Sequence, residues 1–295
     1  MKVSFGLPNW LPATSGPDLI ELAVRAEELG FAGVGTIGRT IFDSYEELVT
    51  LAACAGATRH IGLATTVTIA PARETTLLAK QVATLDALSR GRFTLGLGVG
   101  WRTDDYERTG HGGRFDHRGR VLSAQIGELR ASWSRDVDDA CTDIGPAPHR
   151  PGGPEILLGA FAPAALRRAG RVADGLIAVG IPPAAMRQMH DTVEATRREC
   201  GRVGSSRLVA CHYVALGAEV SERAEQNIAA YYAFGGTPLV QNVVGSLLTT
   251  AAAIDEAHRS LEAIGVDEVF YFPAVADHEQ LTRLAEIVPC HTEVG

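Results

Sequence analysis

The sequence predicts an eight-stranded parallel α/β barrel, and three observations predict it. Strand-like and helix-like segments alternate from one end of the 295-residue chain to the other. Eight of the strands are short and apolar, each followed by a helix, as in parallel sheets covered by helices. The first strand-to-helix turn, LPNWLPATSGP, lacks the phosphate-binding glycines that an open doubly wound sheet usually carries there. A closed barrel formed by residues 1–295 as one domain is therefore expected, with its site on the loops that follow the strands.

Each element has a local reason. Residues 3–8 read as the first strand. Pro17 and Asp18 open a helix in which Leu19, Leu22, Ala23, Ala26 and Leu29 keep a 3.6 period, closed by Gly30. Residues 33–37 form the second strand, 46–57 a helix, and the β-branched run 61–69 (IGLATTVTI) the third strand. A helix over 75–88 leads through Arg90 and the stop at Gly91 into the fourth strand, FTLGLGV, at 93–99. Gly96, Gly98 and Gly100 alternate there, so one face has no side chains. Either a ligand approaches that backbone or bulky neighbours pack on it. Residues 101–114 read as a polar loop and 116–133 as a helix. The proline- and glycine-rich connector within 134–154 shows no periodic element. Strands at 155–159, 176–179, 207–216 and 268–273 follow, with helices at 163–172, 183–200, 221–234, 247–264 and 277–287. Residues 235–245 read as a glycine-bearing break.

Composition narrows the function. The net charge of −8 and the lack of a basic run argue against nucleic acid as a partner. Cys54, Cys141, Cys200, Cys211 and Cys290 are odd in number and form no CxxC pair, which favours reduced thiols over a disulfide frame or zinc site. No apolar run approaches the ~18 residues of a membrane helix, and the start of the chain lacks a signal-peptide core. A cytoplasmic protein without membrane attachment is expected.

The runs ATTVTIAP and LLAKQVATLDALSRGRFTLGLGVGW, with PEILLGAFAPAALRRAGRVADGLIAVG downstream, resemble the bacterial luciferase-like monooxygenase superfamily. The resemblance implies a barrel oxidoreductase that uses reduced FMN or the deazaflavin coenzyme F420. It places a bulge with a non-proline cis peptide at Thr66–Val67, beneath the cofactor ring. It also implies cofactor contacts at Gly98, Val99 and Gly100, where Val99 replaces the phosphate-binding arginine of luciferase. Gly159, Ala160 and Phe161, leading into a helix with Pro163 in its first turn, match a phosphate contact made by backbone amides, with Gly180 and Ile181 flanking it. Arg39 stands where many members carry a histidine, and Trp101 where deazaflavin sugar-phosphate dehydrogenases carry a glutamate. Both replacements favour FMN, with F420-dependent hydride transfer as the alternative. Arg39 is the catalytic candidate, as an anion or oxyanion holder, against a loop arginine paired to Asp43 or Glu46.

Trp10, Trp101, Tyr231, Tyr232 and Phe234 would make an aromatic pocket if the loops converge. Trp10, Trp101 and His212 are the substrate-pocket candidates, with His212 otherwise a barrel-wall residue. His111, Asp116 and His117 lie in a polar loop that would suit a lid. No HExxH metal motif and no GxSxG elbow are present, and no metal is expected. The expected partners are a small organic substrate, a separate flavin reductase and a second copy of the chain. A flavin-binding protein without turnover and a flavin-free barrel lyase are the competing classes. The scarcity of Lys, Asp and Glu at strand ends speaks against the lyase.

Overall fold

The computed structural model describes residues 1–134 and 144–289. Cys141, Cys290 and part of the 134–154 connector lie outside the described residues. All strand pairings are parallel, and the sheet closes on itself. In chain order it runs β1 (Lys2–Gly6), β2 (Gly33–Thr36), β3 (Gly62–Thr65), β4 (Thr68–Ile69), β5 (Phe93–Gly98), β6 (Glu155–Gly159), β7 (Gly175–Val179), β8 (Arg207–Val214) and β9 (Glu268–Pro273). Because β3 and β4 are two halves of the third barrel strand, nine segments make an eight-stranded barrel, a TIM-type (β/α) fold.

Helices cover the outside: α1 (Gly16–Glu28), α2 (Glu47–Ala57), α3 (Thr75–Leu88), α4 (Thr103–Glu107), α5 (Arg118–Trp133), α6 (Pro163–Val172), α7 (Pro183–Glu199), α8 (Ser221–Tyr232), α9 (Gly236–Gly245), α10 (Ala251–Ala263) and α11 (Glu279–Ala285). Two departures from the sequence reading stand out. The glycine-bearing break at 235–245 is the helix α9. Its glycines sit at its two ends, and Pro238 in the first turn starts a helix as readily as it ends one. The polar loop at 101–114 contains the short helix α4, whose Tyr106 is fully buried.

Strand alternation divides the core in two. Outward residues such as Phe5, Val34, Leu95, Leu158, Leu176 and Tyr271 pack against the helices. Inward residues fill the barrel unevenly. Val209, Cys211 and Tyr213 of β8 and Phe270 and Phe272 of β9 supply the bulk, with Ala64, Leu157 and Ile177 opposite. Glycines make room for them: a Cβ on Gly6 would lie 2.1 Å from the Phe272 ring, and one on Gly35 2.7 Å from the Phe270 ring. The N-terminal end of the barrel is plugged by Arg207, which pairs with Glu155 and Glu268, while Ser4 donates to Glu268.

The break between β3 and β4 has a register signature. Leu63 and Ala64 face Phe93 and Thr94, whereas Thr68 and Ile69 face Leu97 and Gly98. Four steps along the third strand thus match three along β5, which is a β-bulge. The Thr66–Val67 peptide within it is cis, at the pair the resemblance marks. The Thr65 side chain replaces the lost ladder bonds. Its hydroxyl donates to the Gly96 carbonyl at 2.8 Å and accepts from the Gly96 N–H at 2.9 Å. The glycine-only face of β5 is the other half of this fit. A Cβ on Gly96 would sit 1.9 Å from the Thr65 carbonyl oxygen, one on Gly98 2.6 Å from Val67, and one on Gly100 2.9 Å from Ile69. Neighbouring residues of the third strand thus occupy the space that side chains at Gly96, Gly98 and Gly100 would need.

Gly96→Ala should therefore destabilise the fold by about 3 kcal/mol, because its new methyl meets backbone that has no side-chain freedom to yield. Urea unfolding of the two proteins measures this.

Candidate functional site

The strand ends converge on a small, partly open cavity of about 30 Å³. Ile37, Thr66, Val179, Cys211, His212, Tyr213, Tyr232 and Phe272 line it, so β3, β7, β8, β9, the segment after β2 and the end of α8 all contribute. The cavity lies beside the bulge, at the end of the barrel where such folds carry their sites.

Its polar groups are neutral. The Tyr213 and Tyr232 hydroxyls are 2.8 Å apart and share a hydrogen bond. Burial pushes the Tyr213 phenol well above its ordinary range and the Tyr232 phenol up to about 12. Burial raises the Cys211 thiol as well, against the opposing effect of a hydrogen bond with Thr66. The Thr66 hydroxyl donates to the Thr36 carbonyl at 3.2 Å. No carboxylate, lysine or arginine is among the lining residues.

His212 borders the cavity from within β8, but its register partner is the outward residue Tyr271, with ring centroids 6.4 Å apart. Alternation therefore turns its ring to the helix side, the barrel-wall placement. Neither ring nitrogen has a hydrogen-bond partner among the described residues. Burial alone lowers its pKa to about 4, so it stays uncharged near neutrality.

Arg39 is half-buried on the loop after β2 and is paired to neither Asp43 nor Glu46. Its Nη1 donates to the Tyr231 carbonyl at 2.6 Å and its Nη2 to the Ile41 carbonyl at 3.3 Å. The guanidinium carbon lies 4.5, 4.9 and 5.1 Å from the Phe42, Tyr231 and Phe234 ring centroids. Arg39 therefore clamps the end of α8 to the β2 loop through carbonyl bonds and cation–π contacts. Its Nε alone is buried without a partner among the described residues. Glu46 instead pairs with Arg73 at 2.7 Å, and the fully buried Glu47 pairs with the same arginine at 2.6 Å. Burial holds the Glu47 carboxyl above its ordinary pKa despite that partner. A Cβ on Gly38 would lie 2.5 Å from a Glu47 oxygen, which accounts for that glycine.

The aromatic residues separate into two groups. Trp10 is 1% exposed and packs on Tyr213 and Tyr231 with centroids 5.0 and 5.2 Å apart. Tyr231, Tyr232 and Phe234 continue that cluster. Trp101, by contrast, is 58% exposed on the loop after β5 and takes no part in it. Of the cofactor candidates, Val67 lies between Gly98 and Gly159, filling the space a Cβ on either would need. The Val99 carbonyl accepts from the buried Tyr106 hydroxyl, which ties the β5 exit to α4. Ala160 is buried and Phe161 is 44% exposed just before α6, which has no side-chain N-cap. Gly180 has φ +62° and precedes α7, also without a side-chain N-cap. His111 precedes and His117 ends a 3-10 turn at Gly112–His117, beyond the cavity lining.

Sequence reasoning missed the Thr65 hydroxyl bridge, the Arg73–Glu47 pair and the Tyr213–Tyr232 bond. Only Thr65 had a signal, as a threonine opposite a strand glycine. The other two join residues 19 and 26 positions apart.

The luciferase-like monooxygenase family profile matches residues 3–279. An uncharacterised protein of Mycobacterium tuberculosis is 39% identical over 95 residues, covering 32% of each chain. The chain spans about a third to a half of the length of the curated relatives it matches. Among solved structures, an F420-dependent secondary alcohol dehydrogenase in complex with an F420-acetone adduct superposes with a TM-score of 0.79. The two share 17% identity, over 98% of both chains. The oxygenating constituent of 3,6-diketocamphane monooxygenase from Pseudomonas putida, in complex with FMN, gives a TM-score of 0.75. It is 16% identical, over 97% of this chain and 95% of that one. At these identities the likeness is one of fold. Among the described residues, no helix is long and apolar enough to cross a membrane.

The buried neutral imidazole makes stability depend on pH. With a folded pKa of about 4 against about 6.5 when unfolded, the unfolded chain binds the proton first. Stability is then lost as pH falls from about 6.5 toward 4. Between pH 7 and pH 5, His212 should account for a loss of about 2 kcal/mol. Denaturant unfolding of His212→Phe across that window should show the dependence reduced by this amount.

Proposed function

Because this chain belongs to the luciferase-like monooxygenase family, we propose that it is a flavin-dependent oxidoreductase, using reduced FMN and oxygen to oxygenate a small organic substrate. The observation that carries this reading is the neutrality of the cavity at the strand-3 bulge. Hydroxyls and a thiol held in their protonated forms can bind and orient a ligand. They cannot act as a base near neutral pH, so the reactive power must come from a bound group.

The residues fit such a group. The bulge presents the Thr66–Val67 backbone, and Val67 forms a ridge between Gly98 and Gly159. Gly98, Val99 and Gly100 on one side, with Gly180 and Ile181 on the other, would flank the ring and its chain. Gly159, Ala160 and Phe161 would take the phosphate with backbone amides at the uncapped start of α6. When bound, reduced FMN supplies the oxygen chemistry. The chain's own residues exclude water through the Trp10–Tyr231–Phe42 packing and fix the substrate from the cavity wall. Arg39 spends its Nη donors on carbonyls, so its role is to hold this wall rather than to titrate. Trp101, exposed on the loop after β5, would meet a substrate on its way in. A separate flavin reductase would deliver the reduced cofactor in the cytoplasm, and the working unit would be a homodimer.

Anaerobic titration with reduced FMN, reduced riboflavin and reduced F420 tests the reading. FMN should bind at least about tenfold tighter than riboflavin, which lacks the phosphate, consistent with charge-assisted hydrogen bonds at one site. An oxygen-dependent absorbance transient should follow on mixing with air. A preference for F420 without a transient would make this a hydride-transfer enzyme. FMN binding without turnover of any substrate would make it a flavin-binding protein.

A further inference from the structure

We propose that the outer face formed by the start of α5 and by α6 is a docking surface for an acidic protein partner, held by Arg120, Arg167, Arg168 and Arg171. Taking that partner to be the reductase that hands over the flavin rests on the oxidoreductase reading above. The surface itself stands on charge and geometry.

The chain carries a net charge of −8, yet its charges are unevenly spread. Over residues 108–127 the one acid is Asp116, exposed just before α5, against four arginines. α6, PAALRRAGRV, has three arginines and no acid. The fold brings the two stretches together. Arg168 Nε donates to the Ser123 hydroxyl at 3.0 Å, and a Cβ on Gly119 would lie 2.2 Å from Arg168 Nη2. Glycine at 119 therefore lets this guanidinium lie along the first turn of α5, whose other residues include Arg118 and Arg120. Arginines there oppose the partial positive charge of a helix start, where Asp or Glu would be favoured. Among the described residues, none of Arg118, Arg120, Arg167, Arg168 and Arg171 is in an ion pair, whereas Arg130 farther along α5 pairs with Asp174 at 2.7 Å. Burial and the nearby Arg171 both lower the Arg168 pKa, and no carboxylate offsets them.

Arg120, Arg167 and Arg171 are exposed. Arg167 and Arg171 stand one turn apart on α6, about 6 Å along its axis. Arg120 lies across the α5–α6 packing, where helix axes are about 9 Å apart. One phosphate cannot reach all three, whereas carboxylates spread over a protein surface can. An acidic partner is repelled by the rest of this chain and drawn to this face, which fixes how it lands. α6 also follows directly on Gly159, Ala160 and Phe161 at the end of β6, so a partner landing here sits beside the barrel mouth.

Fluorescence anisotropy of labelled poly-L-aspartate with the full chain, free of cofactor, tests this. The acidic chain should bind the acidic polymer, and raising NaCl from about 20 mM to about 200 mM should weaken binding at least about tenfold. The triple variant Arg120→Glu, Arg167→Glu, Arg171→Glu should weaken it at least about tenfold at low salt. Arg59→Glu, Arg198→Glu, Arg223→Glu makes the same change of net charge at exposed sites elsewhere and should leave binding within about twofold. Thermal melts check that both variants fold. No binding by the unmodified chain at low salt would overturn the proposal, as would equal losses in the two variants. Displacement of the polymer by inorganic phosphate at constant ionic strength would also overturn it, in favour of a small-anion site. Because the titration needs no cofactor, failure of FMN to bind would count against the proposed function alone. A failed polymer pattern in protein that does bind FMN would count against this inference alone.

Discussion

The exchange between Thr65 and Gly96 is the contact on which the upper half of the barrel depends. A parallel strand that gains one residue loses its register with the neighbour, and every later side chain would change face. Here the extra residue is absorbed at Thr66–Val67, and the Thr65 hydroxyl takes over both ladder bonds to Gly96. The strand then resumes pairing one residue out of step. As a result Thr66 lines the cavity, Val67 reaches Gly98 and Gly159, and Ile69 covers Gly100. The bulge thus sets the floor of the mouth, and the glycines of β5 are what allow it.

Around that floor the protein builds a wall of aromatic rings rather than of charges. Trp10, Phe42, Tyr213, Tyr231, Tyr232 and Phe234 pack in one continuous chain of edge and tilted contacts. Arg39 ties its two ends together by reaching from the β2 loop to the Tyr231 carbonyl. The ion pairs lie elsewhere, at Arg73–Glu47 and, at the far end of the barrel, Arg207–Glu268, while Arg39 within the wall is turned to backbone carbonyls. An uncharged cavity lining at the mouth and a charged plug at the base suit a barrel whose chemistry resides in a bound cofactor.

The fold was legible because its determinants are local. β6, β9, α3 and α6 begin and end where composition and punctuation put them. α9 was not, because glycines that bound a helix look the same in sequence as glycines that break one. The site was legible only in part. The strand-end glycines and the Thr66–Val67 pair can be read from motif and resemblance. The face of β5 that Gly96 exposes could be assigned to packing only with Thr65 in view. His212 could point either way along an apolar strand until the bulk on β8 and β9 fixed the inward face. The Tyr213–Tyr232 bond joins two elements that no periodicity connects.

The most direct test of this account is a crystal structure of the chain grown with FMN. The flavin ring should lie against the Thr66–Val67 bulge, with its phosphate at the amides of Gly159, Ala160 and Phe161. A ring bound away from the third strand, or a phosphate held by arginine side chains elsewhere on the mouth, would contradict it.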